Sequence, residues 1–199
     1  EKDIQDTVHT AIMMAILSGL FLVVLGESAS KPMLTLMGTP DDVLDQAALY
    51  LRIYFFGMPV LMIYNFGAAL LRAVGDTRRP LYFLFAAGAV NVVLNLFFVI
   101  QLGMGVDGVA WATVISECVS AGLIIRSLMK ENGAMKLHLT KLRIVSGKLT
   151  QIVRVGLPAG MQGAIFSISN VLIQSSVNSF GSIAMAGNTA SSNIEGFVY

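Results

Sequence analysis

Asn91 and Asn95 stand four positions apart in an otherwise apolar stretch, so on a helix they lie one turn apart on one face. Two amide oxygens stacked in this way can replace the hydration oxygens of a small cation. They can equally hydrogen-bond a neighbouring helix, a contact that averages only ~0.6 kcal/mol inside a membrane. That face carries no carboxylate, and spacing alone leaves both readings open. The other amides in apolar surroundings are Asn65, Asn170, Asn178, Asn188 and Asn193, with Gln162 and Gln174. Two acids, Glu117 and Glu195, are embedded in the same kind of sequence. Glu195 has small neighbours, among them Ala186, Gly187, Ala190, Ser191 and Ser192. Such a setting suits the interior of a helix bundle, where an acid either handles a cation or proton or forms a structural pair.

Other chemistries find no support. The run 103–108, Gly-Met-Gly-Val-Asp-Gly, fits the dinucleotide fingerprint letter by letter. It follows an apolar helix pattern instead of a strand, so it reads as a turn. His9 and His138 are far apart and show no ligand spacing, and Cys118 is the only cysteine. That excludes a disulfide framework and a multi-cysteine metal site; Cys118 reads as a small packed group. The eleven methionines are scattered at core-like positions and read as packing. No catalytic pair falls within an apolar stretch, which argues against an intramembrane enzyme.

The composition explains why those few polar residues matter. Of 199 residues, 55% are hydrophobic and 13% are charged, with a net charge of +1 and a mean hydropathy of +0.74. A soluble domain carries about 25% charged residues, so this chain is too poor in charge to solvate a globular surface. Disordered chains and nucleic-acid binders need more charge still. The expected class is an all-α membrane protein, a polytopic helix bundle. Inside a bilayer an ionised side chain costs ~2.5–3.5 kcal/mol on insertion scales, so buried polar groups face a partner or a cavity.

Apolar runs place spans at about 8–25, 44–71, 81–102, 109–129 and 151–177, with a sixth from about 183. These are too long for barrel strands and lack two-residue alternation. Basic residues crowd alternate connections. Arg72, Arg78 and Arg79 follow the second span, and Arg126, Lys130, Lys136, Lys141, Arg143, Lys148 and Arg154 follow the fourth. Retention of Lys and Arg on the cytoplasmic side produces this alternation. It puts residues 1–6 inside the cell and the acidic turn Asp41, Asp42, Asp45 outside, with Lys31 and Arg52 as exceptions. The basic connection 131–150 reads as a linker between two bundles, lying along the headgroups or simply solvated. Glu1 opens the chain without a Met, and residues 193–199 lie within an apolar segment; the expectation is part of a longer polypeptide.

Two Gly-x-Pro triplets, Gly57-Met58-Pro59 and Gly156-Leu157-Pro158, interrupt the second span and the start of the fifth. Proline frees a carbonyl and kinks a helix. Broken helices border cavities in transporters, so the expectation at each is a kink, either static or bordering a cavity. Gly156 and Gly160 also have the spacing of a close helix contact.

Taken together, these residues resemble the multidrug and toxic compound extrusion (MATE) transporters. The most specific stretch runs from Tyr50-Leu51-Arg52-Ile53 through Tyr64-Asn65 to Leu71-Arg72-Ala73-Val74-Gly75-Asp76-Thr77-Arg78-Arg79-Pro80. Support comes from Asn91 to Asn95, from 103–108 leading into Ala112-Thr113, and from Gly156 to Gln162. The resemblance implies twelve helices in two lobes. Residues 1–130 would be helices three to six of the first lobe, 131–150 the inter-lobe linker, and 151–199 helix seven and part of eight. It also implies export of organic, often cationic, compounds in exchange for sodium ions or protons.

In several prokaryotic members a first-lobe cation site uses an acid on helix one, an asparagine on helix four, Asn-x-x-x-Asp on helix five and a threonine on helix six. Carried over by motif, these become Asn65, Asn91, Asn95 and Thr113, with the helix-one acid outside this chain. Asn95 departs from the pattern, because an amide neither takes up a proton nor supplies charge. Gln162 and Glu195 are expected on the opposite wall of the substrate path, and Asp76 and Thr77 are expected to brace helix ends. The implied partners are a small organic substrate and the lipid bilayer, with no nucleic acid, no obligatory protein partner and no cofactor beyond the coupling ion. The implied place is the plasma membrane, the inner membrane of a bacterium. The nearest rival, a lipid-linked saccharide flippase of related fold, calls for a strongly basic cavity, whereas Arg52 is nearly alone within the spans.

Overall fold

The structure is a computed structural model that describes residues 2–131 and 133–198. Glu1, Asn132 and Tyr199 belong to the expected N-terminal tail, linker and last span and lie outside the described residues. Among the described residues seven α-helices follow in order: α1 (Lys2–Leu36), α2 (Asp41–Phe56), α3 (Met58–Ala73), α4 (Arg78–Leu96), α5 (Val106–Lys130), α6 (Ser146–Asn178) and α7 (Ser182–Val198). No strand occurs among the described residues. Four helices, α1, α4 with its extension, α5 and α6, are each long and apolar enough to cross a membrane. The pair α2–α3, bent by 48°, makes up to five. These helices coincide with the first five expected spans, and α7 starts where the sixth does.

Helix ends follow local chemistry. Gly103 takes φ +63° in the turn before α5, a left-handed conformation that glycine adopts without steric cost; residues 103–105 form the expected turn, while 106–108 already belong to the first turn of α5. At the α3–α4 turn, Asp76 Oδ1 accepts the Arg79 backbone N–H at 3.1 Å and the Asp76 carboxylate pairs with the Arg79 side chain. Arg79 also reaches Glu131 and Ser127 at the end of α5. Asp76 therefore braces as expected, while Thr77 occupies the N-cap position without a side-chain cap bond. Beyond Leu96, α4 loosens into a π-turn over Phe97–Gln101.

Helices α1 to α5 form one packed bundle: α1 lies on α2–α3, which lies on α5, and α5 carries α4. Its most buried cluster joins Val8 and Ile12 of α1, Ala68 and Leu71 of α3, and Ile124 and Leu128 of α5. Leu137 of the linker closes the cluster at 2% exposure, its N–H donating to Leu128 O at 3.0 Å.

The two Gly-x-Pro triplets behave differently. At Gly57 the chain bends, with Gly57 N–H donating to Ile53 O and Tyr54 O and Pro59 placed in the first turn of α3, where its missing N–H costs nothing. In α6, Pro158 sits inside a helix that continues from Ser146 to Asn178. The second triplet therefore does not interrupt its helix: one missing i→i−4 bond does not end a 33-residue helix.

Helix α6 stands largely apart. Most of its side chains from 153 to 173 are exposed, and Asn178 alone is buried. Its N-terminal end is tied through the linker. Thr10 Oγ1 accepts the Val145 N–H at 3.2 Å, Arg143 pairs with Asp6, and Lys148 Nζ meets Asp3 at 2.6 Å. At its other end, Asn178 Nδ2 donates to Met37 O at 3.0 Å while its carbonyl accepts from Gln174 at 2.9 Å.

Candidate cation and substrate site

Helices α3 and α4 are held together near their connection, where the Tyr64 hydroxyl donates to Pro80 O at 2.9 Å. Further along they part, and α5 forms the floor between them. The result is a cavity of about 590 Å³. Leu61, Tyr64, Asn65 and Arg72 line it from α3, Leu84, Ala87, Gly88 and Asn91 from α4, and Thr113, Ser116, Glu117 and Ser120 from α5. Helical spacing accounts for this set, since 84, 87, 88 and 91, like 113, 116, 117 and 120, follow the i, i+3, i+4, i+7 face of a helix.

Three of the four residues proposed for cation binding, Asn65, Asn91 and Thr113, line this one cavity. Asn95 stands a turn further along α4 and reaches the site through Asn91, its Nδ2 donating to Asn91 Oδ1 at 2.9 Å. Asn91 Nδ2 in turn points at Thr113 Oγ1 (3.5 Å) and Ser116 Oγ (3.4 Å), long contacts that hold loosely. Asn95 Oδ1 is buried and has no hydrogen-bond partner. A buried unpaired carbonyl carries an uncompensated desolvation cost of about 1–3 kcal/mol. The two asparagines therefore act as a relay: one lines the cavity and the other orients it.

Gln162 and Glu195 lie elsewhere, exposed on α6 and α7. The described residues give neither a partner across the cavity. On the α5 wall the sequence pointed to Thr113 and Glu117 but not to Ser116 and Ser120, whose helical spacing with those two was the available signal. Arg52, the exception inside a span, lies near Glu27 of α1 at 3.9 Å. A second cavity of about 520 Å³ sits at the acidic-turn end, between the α1–α2 turn and α6–α7. Its lining is mostly apolar, with Gln174 and Asn178 at one side.

Comparison with known proteins fits this geometry. The MatE family model matches residues 1–122. The probable multidrug resistance protein YoeA of Bacillus subtilis is 30% identical over all of this chain and 44% of its own length. A multidrug resistance MATE family transporter in its outward-facing conformation superimposes with a TM-score of 0.73 at 27% identity, over 82% of this chain and 37% of that one. The inward-facing conformation of such a transporter gives 0.69 at 25% identity, over 87% and 37%. The chain thus spans less than half the length of these relatives. Over half of it fits the family's sequence model, and its helices fit the family's solved bundle: the chain belongs to the MATE family of membrane transporters.

Proposed function

We propose that the protein containing this chain exports organic, often cationic, compounds across the plasma membrane of a bacterium, in exchange for sodium ions or protons. It works by alternating access of two lobes. Residues 1–130 supply helices three to six of the first lobe, residues 131–150 the cytoplasmic linker, and residues 151–199 the start of the second lobe. Asn65, Asn91, Asn95 and Thr113 form the cation-binding wall, and Gln162 and Glu195 belong to the substrate or proton path opposite.

The observation that supports this reading best is the convergence of Asn65, Asn91 and Thr113 from three helices on one cavity within an apolar bundle. Membrane interiors penalise uncompensated polar groups, and such a convergence marks a path for something polar. The test is drug efflux from proteoliposomes holding the full-length protein, under imposed sodium or proton gradients. Efflux is expected to follow one gradient and to weaken in Asn91→Ala and in Glu195→Gln. Asn95→Asp, which adds an acid beside Asn91, is expected to strengthen cation dependence. Gradient-independent leakage, or unchanged coupled efflux in all three variants, would reject the assignment.

A further inference from the structure

At the end of the bundle where the basic connections gather, α1 and the linker enclose a cavity of about 550 Å³, within the ~300–1,000 Å³ usual for small-ligand sites. Lys2, Asp6 and His9 line it from α1, and Lys141 and Arg143 from the linker. Positions 2, 6 and 9 share one helix face by the i, i+4, i+7 rule. The linker is anchored on either flank of its two cations. Upstream, the His138 N–H donates to His9 Nε2 at 3.2 Å, and Leu137 is buried in the core cluster. Downstream, the Val145 N–H donates to Thr10 Oγ1 at 3.2 Å. Between these anchors Leu139–Lys141 makes a single 3₁₀ turn, so Lys141 and Arg143 are presented by a held segment.

Three basic side chains and one carboxylate line the cavity, a surplus of two positive charges. Asp6 is spent on Arg143, and Asp3, the other acid in the first turns of α1, is spent on Lys148. Lys2 and Lys141 form no ion pair among the described residues. Arg143 commits one nitrogen to Asp6 and keeps further N–H donors, since a guanidinium carries five. His9 has one ring nitrogen against Gln5 O and the other on the His138 N–H, so it serves as wall. Like charges converging on a recess repel one another, and an anion between them relieves that cost.

The depth of the recess decides which anion. The apolar run of α1 begins near Val8, so His9 stands at the hydrocarbon boundary. Lys2 lies seven residues earlier, about 10 Å further out at the helical rise. The headgroup layer on each side of the hydrocarbon is about 5–7 Å thick, so the recess lies at the level of phospholipid phosphates. Ile4, Leu139 and Ile144, close in sequence to the lining residues, expose apolar side chains. Water penalises such exposure and lipid does not, which favours a phosphate carried by a lipid over one in solution.

We propose that this cavity binds the phosphate of an anionic phospholipid headgroup from the cytoplasmic leaflet, held by Lys2, Lys141 and Arg143. Basic pockets at the cytoplasmic ends of spanning helices recognise such headgroups. The inference rests on the orientation given by the basic connections and is independent of the coupling ion and of the cavity between α3, α4 and α5. A lipid seated here joins α1 to the linker and adds its hold to the protein's own ties at the start of α6.

The experiment titrates the purified full-length protein in neutral detergent with phosphatidylglycerol or phosphatidylcholine and counts bound lipids by native mass spectrometry. Phosphatidylglycerol is expected to bind more tightly. Lys2→Gln with Lys141→Gln is expected to weaken it by about thirtyfold, two basic residues at the scale each contributes near an anionic leaflet. Arg78→Gln with Lys130→Gln removes the same charge from the same membrane side outside the cavity and is expected to leave binding nearly unchanged. Should the first double variant not stay monodisperse, Lys141→Gln alone is expected to weaken binding by about fivefold. Hydrogen exchange reports the place: phosphatidylglycerol is expected to slow exchange across 136–145 in the wild type and not in the Lys2 and Lys141 variant. Equal weakening in the two double variants would reduce the effect to general charge and overturn the site. Equal affinity for the two lipids, or slowed exchange only outside 136–145, would overturn it too. Displacement of phosphatidylglycerol by millimolar inorganic phosphate would assign the cavity to a dissolved anion and overturn the lipid.

Discussion

Gly57-Met58-Pro59 and Gly156-Leu157-Pro158 share one pattern, yet the first bends its span by 48° and the second lies in an unbroken helix. Their surroundings differ. Around the first, a Cβ on Gly19 of α1 would overlap Pro59, and one on Gly57 would stand 2.9 Å from Val114 Cγ2 of α5. Around Gly156 nothing comes within 4 Å of where a Cβ would be. Proline is accommodated in both places, in the first turn of α3 and within α6, and only where α1 and α5 press from two sides does the helix give way. A Gly-x-Pro triplet permits a bend, and packing imposes it.

The largest effect that could break this comparison is at Gly19. Gly19→Leu must drive α1 off Pro59, a case of overpacking that costs about 1–3 kcal/mol or more. The expected result is a clear fall in the thermal unfolding midpoint of the detergent-solubilised protein. Gly57→Ala is next, because its methyl meets Val114, Tyr54 O and the Glu117 carboxylate at 2.9–3.3 Å; a loss of about 1 kcal/mol is expected, read by the same melting curve. Gly156→Ala is expected to change the midpoint little, within about 0.5 kcal/mol. A fall as large as that at Gly57 would show that the second lobe of the intact protein covers this face of α6.

Pro59→Ala and Pro158→Ala sharpen the same point without a clash. If packing imposes the bend, spin labels on α2 and α3 keep their separation in Pro59→Ala, as measured by pulsed dipolar spectroscopy. A straightened α2–α3 would return the cause to the proline itself.

The smallest effect concerns the tie at the start of α6. His9 Nδ1 lies 2.7 Å from Gln5 O, and its Nε2 accepts the His138 backbone N–H at 3.2 Å. Partial burial and the positive charges of Lys141 and Lys136 push the His138 imidazole below its usual value of 6.5. The docked linker therefore binds fewer protons than the free one. Its docking is whole above about pH 6.5 and weakens as the pH falls below that toward the lowered value. Asp6, held below the usual carboxylate range by its hydrogen bond to Arg143, keeps its part of the tie until the pH drops below about 4. Protection of the His138 and Val145 amides from hydrogen exchange, relative to the intrinsic rate at each pH, is expected to fall first across the histidine range. Unchanged protection down to pH 5 would remove His138 from the latch.

Much of the bundle was legible because hydropathy and span length are properties of single segments. The first five expected spans each contain a helix or a bent pair, and the asparagines at 91 and 95 share the face their spacing gave them. What was not legible depends on neighbours. Asn95 meets the cavity through its hydrogen bond to Asn91, a link that spacing alone does not give. The setting of Glu117 depends on where Thr113, Ser116 and Gly57 sit around it, which its own segment does not encode. Gln162 and Glu195 lie on helices whose faces are mostly bare among the described residues, so the geometry that would give them a role is not in this stretch of chain.

The amide of Asn178, fixed between Gln174 and the Met37 carbonyl at 3% exposure, is a clasp between the far end of α6 and the corner joining α1 to α2. One neutral hydrogen bond nets about 0.5–1.5 kcal/mol, an energy that thermal motion surmounts readily. Joined at its other end by a linker with several ionic ties, α6 resembles a door with a stout hinge and a light catch. Parting α6 at the acidic side would therefore cost less than freeing it at the linker.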